Sequence, residues 1–168
     1  MAASMADRAA GQTAWVRLPE EEARARVEQV PVIRLATADA GGRPHLVVAT
    51  FAADFTAPGG SAPGGGEVRG DRIYTAVDQK PKDSRDLKRL RNIRENPRVA
   101  VLADHYDDDW EKLWWVRGDG HATVIEDPGE MAAPIRLLER RYHQYRRNPP
   151  AGPVIAITVE RWAGWALR

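Results

Sequence analysis

A chain of 168 residues with 43% hydrophobic side chains can build one domain with a real core and is too short for two ordinary ones. No apolar run approaches the roughly eighteen residues of a membrane-spanning helix, and the lack of cysteine excludes disulfides, thiolate metal sites and cysteine nucleophiles. A net charge of +1 argues against protein-wide attraction to nucleic acid.

Met1 to Ala14 is small and polar without the continuous apolar stretch of a secretory signal, so residues 1–14 are expected to be a disordered tail, residues 15–168 the domain, and the protein cytoplasmic. Leu18-Pro19-Glu20-Glu21-Glu22 opens a short amphipathic helix that Pro31 stops after Val30. Val32 to Thr37 is a strand, Asp39 to Gly42 a turn and His45 to Ala52 a second strand, together a hairpin. The near-continuous apolar character of that second strand predicts burial on both faces. Phe55 to Gly70 has the Gly and Pro density of a flexible, expanded hairpin tip. It lacks the Gly-Lys-Ser/Thr ending of a phosphate-binding loop. Arg72 to Val77 is the third strand.

From Lys80 to Arg98 eight basic residues (Lys80, Lys82, Arg85, Lys88, Arg89, Arg91, Arg94, Arg98) face three acidic ones (Asp83, Asp86, Glu95). Asp83 or Ser84 can cap a helix start and Asn96-Pro97 ends it, about three turns later. Leu87, Leu90 and Ile93 form its apolar stripe, which puts Arg85, Lys88, Arg89 and Asn92 on the opposite face. With the helix dipole, Lys80 and Lys82 beside it, this start suits a phosphate or carboxylate ligand. A solvated charged face is the competing reading.

Arg98 to Ala103 is the fourth strand, His105 to Lys112 an acidic connection, and Leu113 to Ile125 a strand with bends expected at Gly118 and Gly120. Pro128 to Arg146 reads as a helix broken at Pro134, and Val154 to Glu160 as the last strand, followed by Arg161 to Trp165. Six antiparallel strands with few helices predict a mainly β, α+β fold: a small closed or split barrel with flanking helices.

Three features in this order, LAT-x4-GRPHLV (Leu35 to Val47), the basic stretch ending in R-x-NPRVAVL (Arg94 to Leu102) and WWVRGDGHATVI (Trp114 to Ile125), resemble the split-barrel flavin and deazaflavin reductases of the pyridoxamine 5′-phosphate oxidase-like, FMN-binding superfamily. KPK followed by LKRLRNIRENPR is most similar to the branch that uses coenzyme F420, a deazaflavin with a phosphate and a polyglutamate tail. The resemblance implies hydride transfer with a small organic substrate through F420, or through FMN as the alternative. It implies a cofactor phosphate on Lys88 or Arg89, with Lys80, Lys82, Arg85 and Asn92 as neighbours. It places the ring against Val47, Val48, Ala49 and Thr50 and against Tyr74, Thr75, Ala76 and Val77. It also implies a homodimer with the cofactor between subunits, to which Trp114, Trp115 or Trp165 of the partner chain contributes. The long loop at Phe55 to Gly70 departs from compact members of that family.

In such chemistry the cofactor carries the hydride and the protein orients it, so no protein nucleophile is required. The only serines, Ser4, Ser61 and Ser84, fall in tail, loop and cap positions. His45, Tyr74 and His105 are the candidate proton donors, each weighed against an ordinary structural role. His105 with Asp107, Asp108 and Asp109 is better read as a solvated loop than as a metal site. A nucleic-acid-binding module fits poorly, because the basic residues are confined to one helix and its entry. A carrier that holds a cofactor without turnover is the remaining alternative.

Overall fold

The computed structural model describes residues 14–56, 58–61, 67–77 and 87–168. Among them the chain runs β1 (Trp15–Arg17), α1 (Glu20–Gln29), β2 (Ile33–Ala38), β3 (Pro44–Ala49), β4 (Ala52–Asp54), β5 (Pro58–Ser61), β6 (Glu67–Arg69), β7 (Asp71–Ala76), α2 (Lys88–Glu95), β8 (Arg98–His105), a short 3-10 turn (Trp110–Lys112), β9 (Trp114–Ile125), α3 (Pro128–Arg141), α4 (His143–Arg147) and β10 (Val154–Leu167). The main sheet has the order β3-β2-β8-β9-β10-β7-β4, with β1 added on β10, and every pairing is antiparallel. Its two outermost strands, β3 and β4, are separated in the chain by Thr50 and Phe51 alone. At about 4.8 Å per strand a flat sheet would hold those edges roughly 29 Å apart, whereas Cα atoms three residues apart can be separated by no more than about 11 Å. The sheet therefore curls until its edges meet at this corner. It does so without β3 pairing to β4, which leaves an unclosed, split barrel.

The interior is filled by alternate residues of the strands, including Ile33, Leu35, Phe51, Ile73, Val101, Val116, Ile155 and Ile157. Ala23 and Val27 of α1 and Leu90 and Ile93 of α2 join the same core. Asp71, a buried carboxylate, accepts hydrogen bonds from Trp162 Nε1 at 2.5 Å and Arg24 Nε at 2.6 Å, tying α1 to the barrel. Met131 and Leu138 of α3 pack with Ala52, Ala76 and Val154 in a second cluster.

Several expectations are revised. Eight strands, rather than six, make the main sheet. The segment read as an expanded hairpin tip carries a two-stranded ribbon, β5 with β6. β3 is not buried on both faces: Leu46 and Val48 are each 65% exposed, because β3 is an edge strand whose outer face nothing in this chain covers. The last strand continues through Trp162 and Trp165 to Leu167, and the irregularity expected near Gly118 and Gly120 lies opposite them, where the register of β10 shifts between Val159 and Arg161. Pro134 is accommodated inside α3, and the chain breaks instead at extended Tyr142. Ala14 belongs to the fold, its N–H and C=O bonded to Arg168 at 2.7 and 3.1 Å; the rest of the expected tail lies outside the described residues. Trp114 and Trp162 are buried in the core of the single chain.

Gly120 is required by close approach. A Cβ there would lie 1.9 Å from the carbonyl oxygen of Thr158 on the neighbouring strand. Gly120→Ala should therefore force β9 from β10 and destabilise the protein by about 2–3 kcal/mol. Chemical unfolding would measure it, and a loss under about 0.5 kcal/mol would contradict the packing described.

Candidate functional site

The start of α2 is held in place by what its inner side buries. Leu90 and Ile93 enter the core, and between them Asn92 turns inward, donating from Nδ2 to Thr37 Oγ1 at 3.0 Å. Thr37, also buried, donates to the carbonyl of His45 at 3.4 Å. This chain of hydrogen bonds fastens α2 to the β2–β3 pair. Asn92 thus acts as an internal tie and is not on an outward basic face. The helix is also shorter than expected. It begins at Lys88 after an extended Leu87, which offers no side-chain cap; Asp83 and Ser84, read as caps, lie outside the described residues. No acid occupies its first turn.

Lys88 and Arg89 stand half-buried at this start, and their charges reach the imidazole of His45. The His45 pKa is lowered, first by burial and then by the repulsion of Lys88 and Arg89. His45, read from sequence only as a proton donor, therefore lies within the positive field of Lys88 and Arg89. Arg94 points elsewhere, paired with Glu126 at 2.9 Å. Lys80, Lys82 and Arg85 lie outside the described residues.

The proposed ring-binding residues do not share one surface. Val47 and Ala49 pack against the core, whereas Val48 faces outward. Thr50 Oγ1 hydrogen-bonds Tyr145 Oη at 2.7 Å, and the N–H of Phe51 donates to Tyr142 Oη at 3.0 Å. Tyr142 in turn donates to the Pro31 carbonyl at 2.8 Å, and the Arg141 guanidinium lies 4.2 Å from the Phe51 ring centre. Tyr74 and Ala76 face the α3 cluster, whereas Thr75 and Val77 are buried on the opposite side of β7. Burial raises the Tyr74 pKa, so its hydroxyl keeps its proton at neutral pH. Trp115 is half-buried on β9, in register with Trp165 and Asp104. His105 is exposed, its Nε2 3.9 Å from Asp107. Asp109 accepts from the Glu111 N–H at 3.2 Å and pairs with Lys112 at 3.2 Å, and among the described residues no group of acids and histidines is placed to hold a metal.

Sequence reasoning missed the tie through Thr37 and the clamp of Arg141, Tyr142 and Tyr145 on the Thr50–Phe51 corner. Polar residues on strands and helix ends show their partners only once distant segments meet.

The sequence profile described as pyridoxamine 5′-phosphate oxidase matches residues 19–166. No curated protein matches the chain. Among solved structures, the conserved hypothetical protein Rv2991 of Mycobacterium tuberculosis superposes with a TM-score of 0.62 at 20% identity, covering 89% of this chain and 85% of that one. An FAD-binding protein from Mesorhizobium loti gives 0.61 at 17% identity, with 94% and 99% covered. The heme storage protein HutZ from Vibrio cholerae gives 0.59 at 16% identity, with 88% and 94% covered. At these identities the likeness establishes the fold.

Because its folded-state pKa lies below the ordinary value of 6.5, neutral His45 contributes stability that is present above that value and lost as pH falls through the folded pKa. In an NMR titration, Lys88→Gln combined with Arg89→Gln should move the His45 midpoint upward toward 6.5. An unmoved midpoint would mean that the two cations do not reach this imidazole.

Proposed function

The chain belongs to the pyridoxamine 5′-phosphate oxidase family, and from that premise we propose that it binds a flavin-type cofactor by its phosphate at the start of α2 and serves hydride transfer with a small organic substrate. The observation that carries this reading is the positive influence of Lys88 and Arg89 on His45, at a helix whose own first turn holds no acid. The donor chemistry fits a phosphate. Two cations stand at the N-terminal end of a helix dipole, and a bound dianion would offset the repulsion that, after burial, lowers the His45 pKa.

Such a cofactor, when bound, supplies the two-electron chemistry itself. The chain's own contribution is position. β3 pairs with β2 on one side only, so the N–H and C=O groups on its free edge can meet the polar rim of a heterocycle. The Tyr142–Tyr145 clamp fixes the end of that edge at Thr50. The FAD-binding description of the Mesorhizobium protein supports a flavin. Coenzyme F420 is the second reading, favoured by the eight basic residues from Lys80 to Arg98, more than a single phosphate engages. A homodimer completes the site in this reading. Leu46 and Val48, with Trp115 and the partly exposed Trp165, give a second copy apolar surface to cover.

Fluorescence titration with FMN and with F420 across a salt series tests the cofactor. Arg89→Glu should weaken either ligand at least about tenfold, whereas Lys80→Glu or Lys82→Glu should weaken mainly F420, in a salt-dependent manner. Unchanged binding of both cofactors to Arg89→Glu would remove the phosphate assignment. For the dimer, light scattering should show two copies for the native chain and a monomer for Val48→Lys, with loss of cofactor affinity. A native monomer at micromolar concentration would refute it.

A further inference from the structure

Where β1 meets the connection between β8 and β9, Trp15, Tyr106, Trp110 and Leu113 line, with Asp107 and Asp108, an open groove of about 760 Å³. The groove is constructed by the fold. Trp15 is fixed by pairing with Leu167, and Trp110 begins the 3-10 turn that Asp109 caps through the Glu111 N–H. Asp107 accepts from the Asp109 N–H at 2.9 Å, and the buried Leu113 donates its N–H to the Trp110 carbonyl at 3.1 Å. Yet Tyr106 is 73% and Trp110 71% exposed, and among the described residues neither they nor Trp15 makes a contact with another ring.

The charge of this groove is opposite to that of the α2 start. Asp107, Asp108, Asp109 and Glu111 lie within five residues. Lys112 is held 3.2 Å from Asp109 and 3.9 Å from Asp107, which raises its pKa, and His105 Nε2 also stands 3.9 Å from Asp107. Asp108 has no hydrogen bond or ion pair among the described residues. Three aromatic side chains lining one groove, together with the unpaired Asp108 carboxylate, attract cations, and the gain is greatest for one whose hydration is weak. A metal ion or a primary ammonium gives up strongly bound water, whereas a quaternary ammonium has no N–H to desolvate. The volume also falls in the range of small-molecule sites, about 300–1,000 Å³.

We propose that this groove binds a small organic cation of the quaternary or fully alkylated ammonium class, through the Trp15, Tyr106 and Trp110 rings and the Asp107 and Asp108 carboxylates. The site is separate from the anion site at α2 and does not depend on the cofactor reading.

The test is an NMR titration of the full chain with choline, reading the indole N–H signals, with 3,3-dimethylbutanol as the uncharged match in shape. Choline should shift the Trp15 and Trp110 signals saturably, while Trp162, buried and bonded to Asp71, stays still as an internal control. Asp108→Asn should weaken choline about tenfold, and Lys88→Gln should leave it unchanged. Equal shifts from choline and the alcohol, or no saturable shift, would overturn the proposal. So would a Trp110→Ala variant that turns a dimer into a monomer when choline gives no shift, because the groove would then be subunit contact.

Discussion

The two-residue passage from β3 to β4 is the constraint on which the architecture depends. A sheet whose first and last strands are joined by Thr50 and Phe51 has to curl, and the sequence supplies the means to hold the corner. Phe51 fills the barrel interior, its N–H is bonded by Tyr142, and Thr50 by Tyr145. Arg141 covers the Phe51 ring and donates to the carbonyls of Glu28 and Val30 at 3.0 and 2.5 Å, so α1, α3 and the corner are locked together. Because the edges meet without pairing, the fold keeps a free strand edge on β3, the kind of backbone surface that sheets otherwise have to protect.

Around that barrel the surface is divided by charge and polarity. The start of α2 is positive and adds to the burial that disfavours protonation of His45, the β8–β9 connection is acidic and aromatic, and the outer face of β3 is apolar. These regions lie on different elements, so an anion, a cation and an apolar surface can be met without competing for the same side chains. No helix of the described chain is long and apolar enough to cross a membrane, so the exposed apolar residues are not a membrane-spanning helix.

Strand positions were legible in the sequence wherever period-two alternation was uninterrupted, as in Ile33–Ala38, and illegible where a bulge broke it. In β10 Glu160 and Arg161 are both exposed between buried Val159 and Trp162, so the phase slips and the strand reads as if it ended there. β3 shows a different limit. Hydropathy reports that Leu46 and Val48 avoid water but cannot distinguish a core from a surface awaiting a partner. For the site, the basic residues of α2 were visible as charge, but the role of His45 was not, since it depends on β3 lying beside a helix that starts more than forty residues later. Asn92 was misplaced because a polar residue was assigned to the solvent face when Thr37 provides a buried partner.

The central claim is that the start of α2, with His45, receives the phosphate of a flavin-type cofactor. A crystal structure of the protein with FMN or F420 bound tests it most directly. The phosphate is expected within hydrogen-bonding distance of the Lys88 and Arg89 side chains, facing His45 and the first turn of α2. A cofactor bound with its phosphate away from that turn would contradict it.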